Sequence, residues 1–267
     1  MLAGFETTTL ILIFAVVCVG GVVKGAAGFG YDVTGTAALA VLIDPVSASL
    51  IMIVPMIAAN VSLVGELGRS GVRPCLARFW LFLAAAVVGT ALGIYALGVL
   101  PVAALTFGIG VVTLGYVFSR QKAVDVSLVP AVPVLSNPRF AGAASGKPVG
   151  AVIGFVSGVV YGATNIAVQV VAYLDSLDLD RSTFVGVLAL IVVGIAGLRL
   201  VLAWELGLYG TDELLAVSVV AAAPGLVGVG VGAFARRRLT ERVLHLGVLV
   251  LLSVIGVRLV LDGAGFV

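Results

Sequence analysis

Lys24 and Asp32 are the only charged residues in a glycine-rich apolar stretch, Gly21-Val-Val-Lys-Gly-Ala-Ala-Gly-Phe-Gly-Tyr-Asp32. Charges in so oily a run are costly at membrane depth and are usually paired or functional there. A lysine in this setting attracts an anion, an aspartate offers a protonation site for coupling, and the two can form an internal ion pair. The competing reading of Lys24 is that it snorkels to the interface along its own helix. Half a chain later comes a second stretch of the same kind, Gly154-Phe-Val-Ser-Gly-Val-Val-Tyr-Gly-Ala-Thr-Asn165. At one constant offset Gly21 falls on Gly154, Lys24 on Ser157, Gly25 on Gly158 and Asp32 on Asn165. The second copy carries no charge. Ser157, Tyr161, Thr164, Asn165 and Gln169 supply neutral donors and acceptors instead.

Each stretch leads into an apolar segment too short to cross a bilayer. As helices, Tyr31 to Ile43 rises only ~20 Å and Thr164 to Leu174 only ~17 Å, against about 30 Å of hydrocarbon. Paired breaks at matching positions of two halves point to a transporter's binding site. A helix starting near Tyr31 and another near Thr164 would aim free backbone N–H groups and the positive dipole end at the midplane. Such a helix start binds an anion without a charged side chain. Gly25, Gly28, Gly30, Gly158 and Gly162 permit close backbone approach and tight turns; the alternative is that they serve only close helix packing. The candidate substrate-binding set is therefore Lys24, Gly28, Gly30, Tyr31, Asp32, Ser157, Tyr161, Thr164, Asn165 and Gln169.

The elements that position this set are those of a membrane protein. Of 267 residues 61% are hydrophobic and 10% charged, and mean hydropathy is +1.27, too few charges to cover the surface of a soluble domain. Full-length spans are predicted at Val46 to Leu67, Phe79 to Leu100, Val102 to Phe118, Thr183 to Trp204, Leu214 to Phe234 and Val243 to Leu261. Asp44-Pro45, Leu100-Pro101 and Thr211-Asp212 mark helix starts or turns. The two glycine-rich breaks read as helical hairpins, re-entrant or broken, although the first arm, Thr8 to Lys24, is long enough to cross. Residues 121–147, with Pro130, Pro133 and Pro138, read as a cytoplasmic linker between a first repeat, 1–120, and a second, 148–267.

Loop charge orients the chain. With the N-terminus outside, one face receives Arg69, Arg73, Arg78, Arg120, Lys122, Arg139, Lys147, Arg181, Arg236, Arg237, Arg238 and Arg242. The other receives only acids such as Glu6, Asp44, Glu205, Asp212, Glu213 and Asp262. The basic face is expected to be cytoplasmic, with both termini outside. Later in each half Gly89 and Gly93 fall on Gly228 and Gly232, and Leu105 and Gly108 on Leu244 and Gly247, at a second constant offset. Each repeat thus holds a short hairpin and three full transmembrane helices. An odd number of crossings inverts the second repeat, so the hairpins enter from opposite faces and can meet near the midplane. The expected fold class is an all-α polytopic membrane protein of two inverted-topology repeats.

The remaining polar residues read less sharply. Asn60 interrupts an apolar helix and either faces the cavity or bonds a neighbouring helix. Arg199 is expected to snorkel toward the outer interface near Glu205, and Arg258 and Asp262, spaced i,i+4, to pair at the surface. His245, beside Glu241 and Arg242, reads as interfacial. Cys18 and Cys75 lie apart in an apolar run and a basic loop, which favours neither a disulfide nor a metal. Without a Ser-His, Asp-Asp or metal-ligand constellation at depth, the chain does not read as an enzyme. No cofactor is expected beyond a coupling proton or sodium ion, and no nucleic-acid partner. The lipid bilayer, a small anion and a homo-oligomeric contact are the expected partners.

The chain resembles the sulfite exporter TauE/SafE family of membrane permeases. The resemblance is carried by Lys24-Gly25-Ala-Ala-Gly28-Phe29-Gly30 after an apolar first helix and by Gly150 to Gly162 at the opening of the second half. Gly228-Val-Gly-Val-Gly232, followed by Arg236 to Arg238, adds to it. The family's further glycines after Gly-Phe-Gly are here Tyr31 and Asp32, a departure that bears on substrate and coupling ion. The resemblance implies export of sulfite or an organosulfonate across the cell membrane. An anion channel, or a carrier of other small carboxylate or inorganic anions, is the alternative.

Overall fold

The computed structural model describes residues 4–28, 30–64, 68–120, 147–175, 177, 179–210, 212–236 and 241–266. Phe29, Leu67, Lys122, Arg139, Thr211, Arg237, Arg238 and the prolines at 130, 133 and 138 lie outside the described residues, as does all of the expected linker except Lys147. The same holds for the side chain of His245. Among the described residues there are eleven α-helices. They are α1 (Thr7–Ala27), α2 (Tyr31–Leu42), α3 (Pro45–Ile51), α4 (Ile53–Val64), α5 (Gly68–Val99), α6 (Val102–Arg120), α7 (Lys147–Thr164), α8 (Val168–Asp175), α9 (Arg181–Glu205), α10 (Asp212–Ala235) and α11 (Glu241–Gly263). The chain is an all-helical polytopic membrane protein.

Among the described residues, five stretches are long and apolar enough to cross a membrane: Thr7–Ala26, Val72–Val99, Thr183–Glu205, Glu213–Ala235 and Leu246–Gly263. The first arm of the first hairpin is one of them, which settles its length. Val102–Phe118, expected as a full-length span, falls instead among the shorter apolar helices.

The span expected at Val46 to Leu67 is instead two helices, α3 and α4, parted at Met52. Pro55 has no N–H to offer the Ile51 carbonyl one turn back. The Ser218 hydroxyl of α10 donates to that carbonyl at 2.8 Å. A freed carbonyl at membrane depth is tolerated because another helix supplies its partner. At its other end α3 starts conventionally, with Pro45 in the first turn and the Asp44 carboxylate accepting from Ser47 N–H at 2.8 Å, the pattern expected of an N-cap.

Two glycine seams hold the hairpins. A Cβ on Gly21 or Gly25 of α1 would collide with the α10 backbone at Gly225 or Val229. From the other side, a Cβ on Gly228 or Gly232 of α10 would collide with the α1 backbone at Cys18 or Val22. The same arrangement joins α7 to α5, where Gly154 and Gly158 lie on Phe82 and Ala86, and Gly89 and Gly93 lie on Phe155 and Val159. Each hairpin arm therefore packs on a long helix of the opposite half, backbone against backbone, through the glycines the two sequence offsets had paired. Such small-residue seams replace the hydrophobic drive that helices lack in lipid.

These seams predict a sharp positional contrast within α10. Gly232→Val should lower stability by about 1–3 kcal/mol, the usual cost of overpacking. Gly230→Val, where an added Cβ meets nothing within 4 Å, should stay within about 0.5 kcal/mol of the parent. Thermal unfolding in detergent measures both, and equal melting temperatures would show that the seam is loose.

Candidate functional site

The first hairpin turns on two left-handed glycines. Gly28 caps α1 at φ 87° with its N–H on the Lys24 carbonyl at 2.6 Å. Gly30, also at φ 87°, is the N-cap of α2 and has no side chain to occupy the helix start. Glycine adopts this backbone geometry without the Cβ strain other residues meet. The turn places Lys24, in the last turn of α1, and Asp32, in the first turn of α2, on one cavity of about 230 Å³. Gly28, Gly30 and Tyr31 line the same cavity, as do Asn60 of α4 and Ala167 just before α8. Leu63, near the end of α4, and Phe184, near the start of α9, extend the lining toward those two helix ends.

Lys24 and Asp32 do not form the expected ion pair. Lys24 is 8% exposed and its ammonium donates to Asn60 Oδ1 at 2.8 Å, so it does not snorkel. Asn60 in turn donates from its amide to the Met56 carbonyl at 2.8 Å. Both readings of Asn60 hold, since it faces the cavity and also bonds a neighbouring helix. Asp32 Oδ2 accepts the Ala167 N–H at 2.6 Å. The carboxylate of the first hairpin thus caps the helix start of the second, where free N–H groups and the dipole favour negative charge. The Tyr31 hydroxyl lies against Gly225 and, although buried, has no hydrogen-bond partner.

The second hairpin breaks at residues 165–167, between α7 and α8, but its polar set does not line the cavity. Thr164 Oγ donates to the Val160 carbonyl at 2.7 Å and accepts the Ile166 N–H at 3.3 Å, bridging the break. Asn165 sits at φ 60° and donates to Thr36 Oγ at 3.3 Å. The Tyr161 hydroxyl points at Met56 Sδ, 3.6 Å away. Ser157 Oγ and Gln169 Oε1 are buried without partners. Of the ten candidate residues, then, Lys24, Gly28, Gly30, Tyr31 and Asp32 surround the cavity. Ser157, Tyr161, Thr164, Asn165 and Gln169 are not among its lining residues; the broken backbone and a neighbouring cation take up the side chains of Thr164 and Asn165.

That cation is Arg199, whose expected snorkelling is wrong. Its side chain is 0% exposed. Nε donates to the Gly162 carbonyl at 2.9 Å, and Nη1 donates to the Ser49 carbonyl at 3.1 Å and to Asn165 Oδ1 at 2.7 Å. Nη2 bonds the Ser49 hydroxyl. The Gly162 carbonyl is available because Ile166, its usual helical donor, bonds Thr164 instead. The Ser49 carbonyl faces the break at Met52. One guanidinium with its planar fork therefore ties two interrupted helices together. The sequence held one signal for this: at the offset relating Gly89 to Gly228, Asn60 falls on Arg199, and each interrupts an apolar helix. Arg258 and Asp262 do pair, at 3.7 Å.

If this bridge holds the breaks, Arg199→Leu should destabilise the protein by about 1–3 kcal/mol for each acceptor left orphaned. Arg199→Lys should recover only part of that loss, since one ammonium cannot span both breaks. Melting temperatures of the two variants in detergent test the point, and a lysine variant as stable as the parent would deny the fork its role.

Comparison with known proteins places the chain. A search of curated proteins found no match, and a search of solved structures found none. The model of the family described as "Sulfite exporter TauE/SafE" matches residues 12–259, a span that includes both hairpins, the cavity and Arg199. The chain belongs to the sulfite exporter TauE/SafE family.

Proposed function

We propose that the protein exports a small anion, sulfite or an organosulfonate, across the cell membrane by alternating access. The observation that carries this reading is the meeting of the hairpins: Asp32 at the start of α2 accepts from Ala167 at the start of α8, on the edge of a cavity that also holds Lys24. Two helix starts and a lysine amine beside a small cavity form an anion receptor.

The two halves are inverted repeats in this reading. The reciprocal glycine seams support it, since each hairpin arm packs on the corresponding long helix of the other half. With the basic loops cytoplasmic and the termini outside, the lining from Asp32 to Leu63 and Phe184 faces the cytoplasm, the side from which an exporter loads. Beyond the cavity, the Arg199 bridge fills the space between the α3–α4 and α7–α8 breaks. A filled route favours a carrier over an open pore. Asp32 is the natural proton site for coupling; Lys24 draws the anion in.

Proteoliposomes test the mechanism. Vesicles loaded with sulfite should take up labelled sulfite by counterflow, and Asp32→Asn should abolish accumulation driven by a pH gradient. A voltage-driven current far faster than carrier turnover, without counterflow, would replace the carrier by a pore. The substrate class is tested by thermal shift on purified protein with sulfite, sulfonates, sulfate and carboxylates; stabilisation by none of the sulfur oxyanions would rule that class out.

A further inference from the structure

We propose that the protein has a second anion half-site, centred on Arg199, which opens to the outer side when the cavity at Lys24 closes. The proposal rests on the export reading and the inverted repeats above, and it starts from two bonds. In the first half Lys24, near the end of hairpin arm α1, donates to the amide oxygen of Asn60 on α4 at 2.8 Å. In the second half Arg199 on α9 donates to the amide oxygen of Asn165, in the hairpin break, at 2.7 Å. Asn60 and Arg199 match at the offset that relates Gly89 to Gly228. Each half thus ties its hairpin to a following helix by one cation-to-amide bond, with cation and amide exchanged between the two elements.

A neutral amide oxygen holds a cation in place without cancelling its charge. The other acceptors of Arg199, the Gly162 and Ser49 carbonyls and the Ser49 hydroxyl, are neutral as well. A buried cation held this way keeps its charge for an anion, and a guanidinium fork fits an oxyanion in two-point contact. The surroundings of Arg199 answer to the lining of the Lys24 cavity. At the hairpin offset Lys24 falls on Ser157, Gly28 on Tyr161 and Asp32 on Asn165, while Thr34 falls on Ala167. Helix α3, which carries Ser49, answers to the start of α9, which supplies Phe184 and Val185 to the cavity; an aspartate N-cap opens each. The Tyr161 ring lies 5.9 Å from the guanidinium. In this same set Ser157 and Thr34, 0% and 1% exposed, have hydroxyls without a hydrogen-bond partner.

The Arg199 bonds are therefore the closed form of the outer half-site. Opening parts Ser49 from the hairpin break and frees the fork for the anion that Lys24 has loaded. Closing returns Ser49, Gly162 and Asn165 to the fork, and their competition expels the anion outward.

The test is exchange of labelled sulfite or methanesulfonate by the full-length protein in right-side-out and inverted membrane vesicles. The reading is the ratio of external to internal half-saturation. Asn165→Asp keeps an oxygen on the guanidinium but cancels its charge, and should raise the ratio about tenfold or more. Asn60→Asp does the same to Lys24 and should lower the ratio by a similar factor. A purely structural Arg199 would give no such opposition. Arg199→Lys keeps the charge and loses the fork; it should raise the ratio about threefold or more, and it carries the test should Asn165→Asp not fold. A ratio that Asn165→Asp or Arg199→Lys leaves unmoved, or that Asn60→Asp also raises, overturns the second half-site and leaves anion export standing. A parent that exchanges neither probe overturns the export reading as well.

Discussion

Every peptide N–H and C=O at membrane depth needs a partner inside the protein, because lipid offers none. A chain of unbroken helices meets this requirement within each helix, and for that reason has no backbone left to offer a ligand. Among the described residues this protein interrupts its helices between α1 and α2, at Met52 and at 165–167, and much of the structure follows from how the freed groups are satisfied. Ser218 takes the Ile51 carbonyl, Arg199 takes the Ser49 and Gly162 carbonyls, and Asp32 takes the Ala167 N–H. These bonds join residues more than a hundred positions apart in most cases. They fix the relative placement of the two halves where apolar packing alone would leave it loosely specified.

The glycine seams are the second half of the same argument. A break can be served by a neighbouring helix only if that helix comes close, and close approach requires that no Cβ intervene. Gly25 and Gly232 on one seam, and Gly158 and Gly93 on the other, bring backbones into contact. The breaks that these seams frame thereby sit within reach of Asp32 and Arg199. Packing and polar satisfaction are coupled: loosening a seam would withdraw partners from the breaks, and orphaned carbonyls would in turn favour local unwinding.

The sequence made some of this legible and hid the rest for identifiable reasons. Hydropathy located the long helices because lipid imposes a length and an apolar composition on each. The two offsets paired the right glycines because the seams repeat. The break at Met52 was hidden because Pro55 in an apolar run is also compatible with an ordinary span; only Ser218, far along the chain, shows where the freed carbonyl goes. Arg199 lies six residues from Glu205 at its helix end, the position where snorkelling is the cheaper default. What overrides that default is tertiary, namely acceptors presented by two other elements. The break at 165–167 is legible in the sequence, but composition shows only that Asn165 and Tyr161 are polar, not which way they face.

The difference between the two hairpins now has a physical meaning. In the first, the charged groups point into the cavity and are held from the side, Lys24 by Asn60 and Asp32 by a backbone N–H. In the second, the backbone start of α8 points toward the cavity and the polar side chains brace it from behind. One half contributes charge; the other contributes an oriented dipole. Asp32 sits where those contributions meet, on the N–H group that an oxyanion would otherwise seek. On the export reading proposed above, an arriving anion would settle beside that carboxylate, drawn by Lys24 and the helix starts and pressed away by Asp32. In that reading, movement of either hairpin would change the Asp32–Ala167 distance and with it this balance, so the hydrogen bond that joins the hairpins would also set how firmly the site holds its anion.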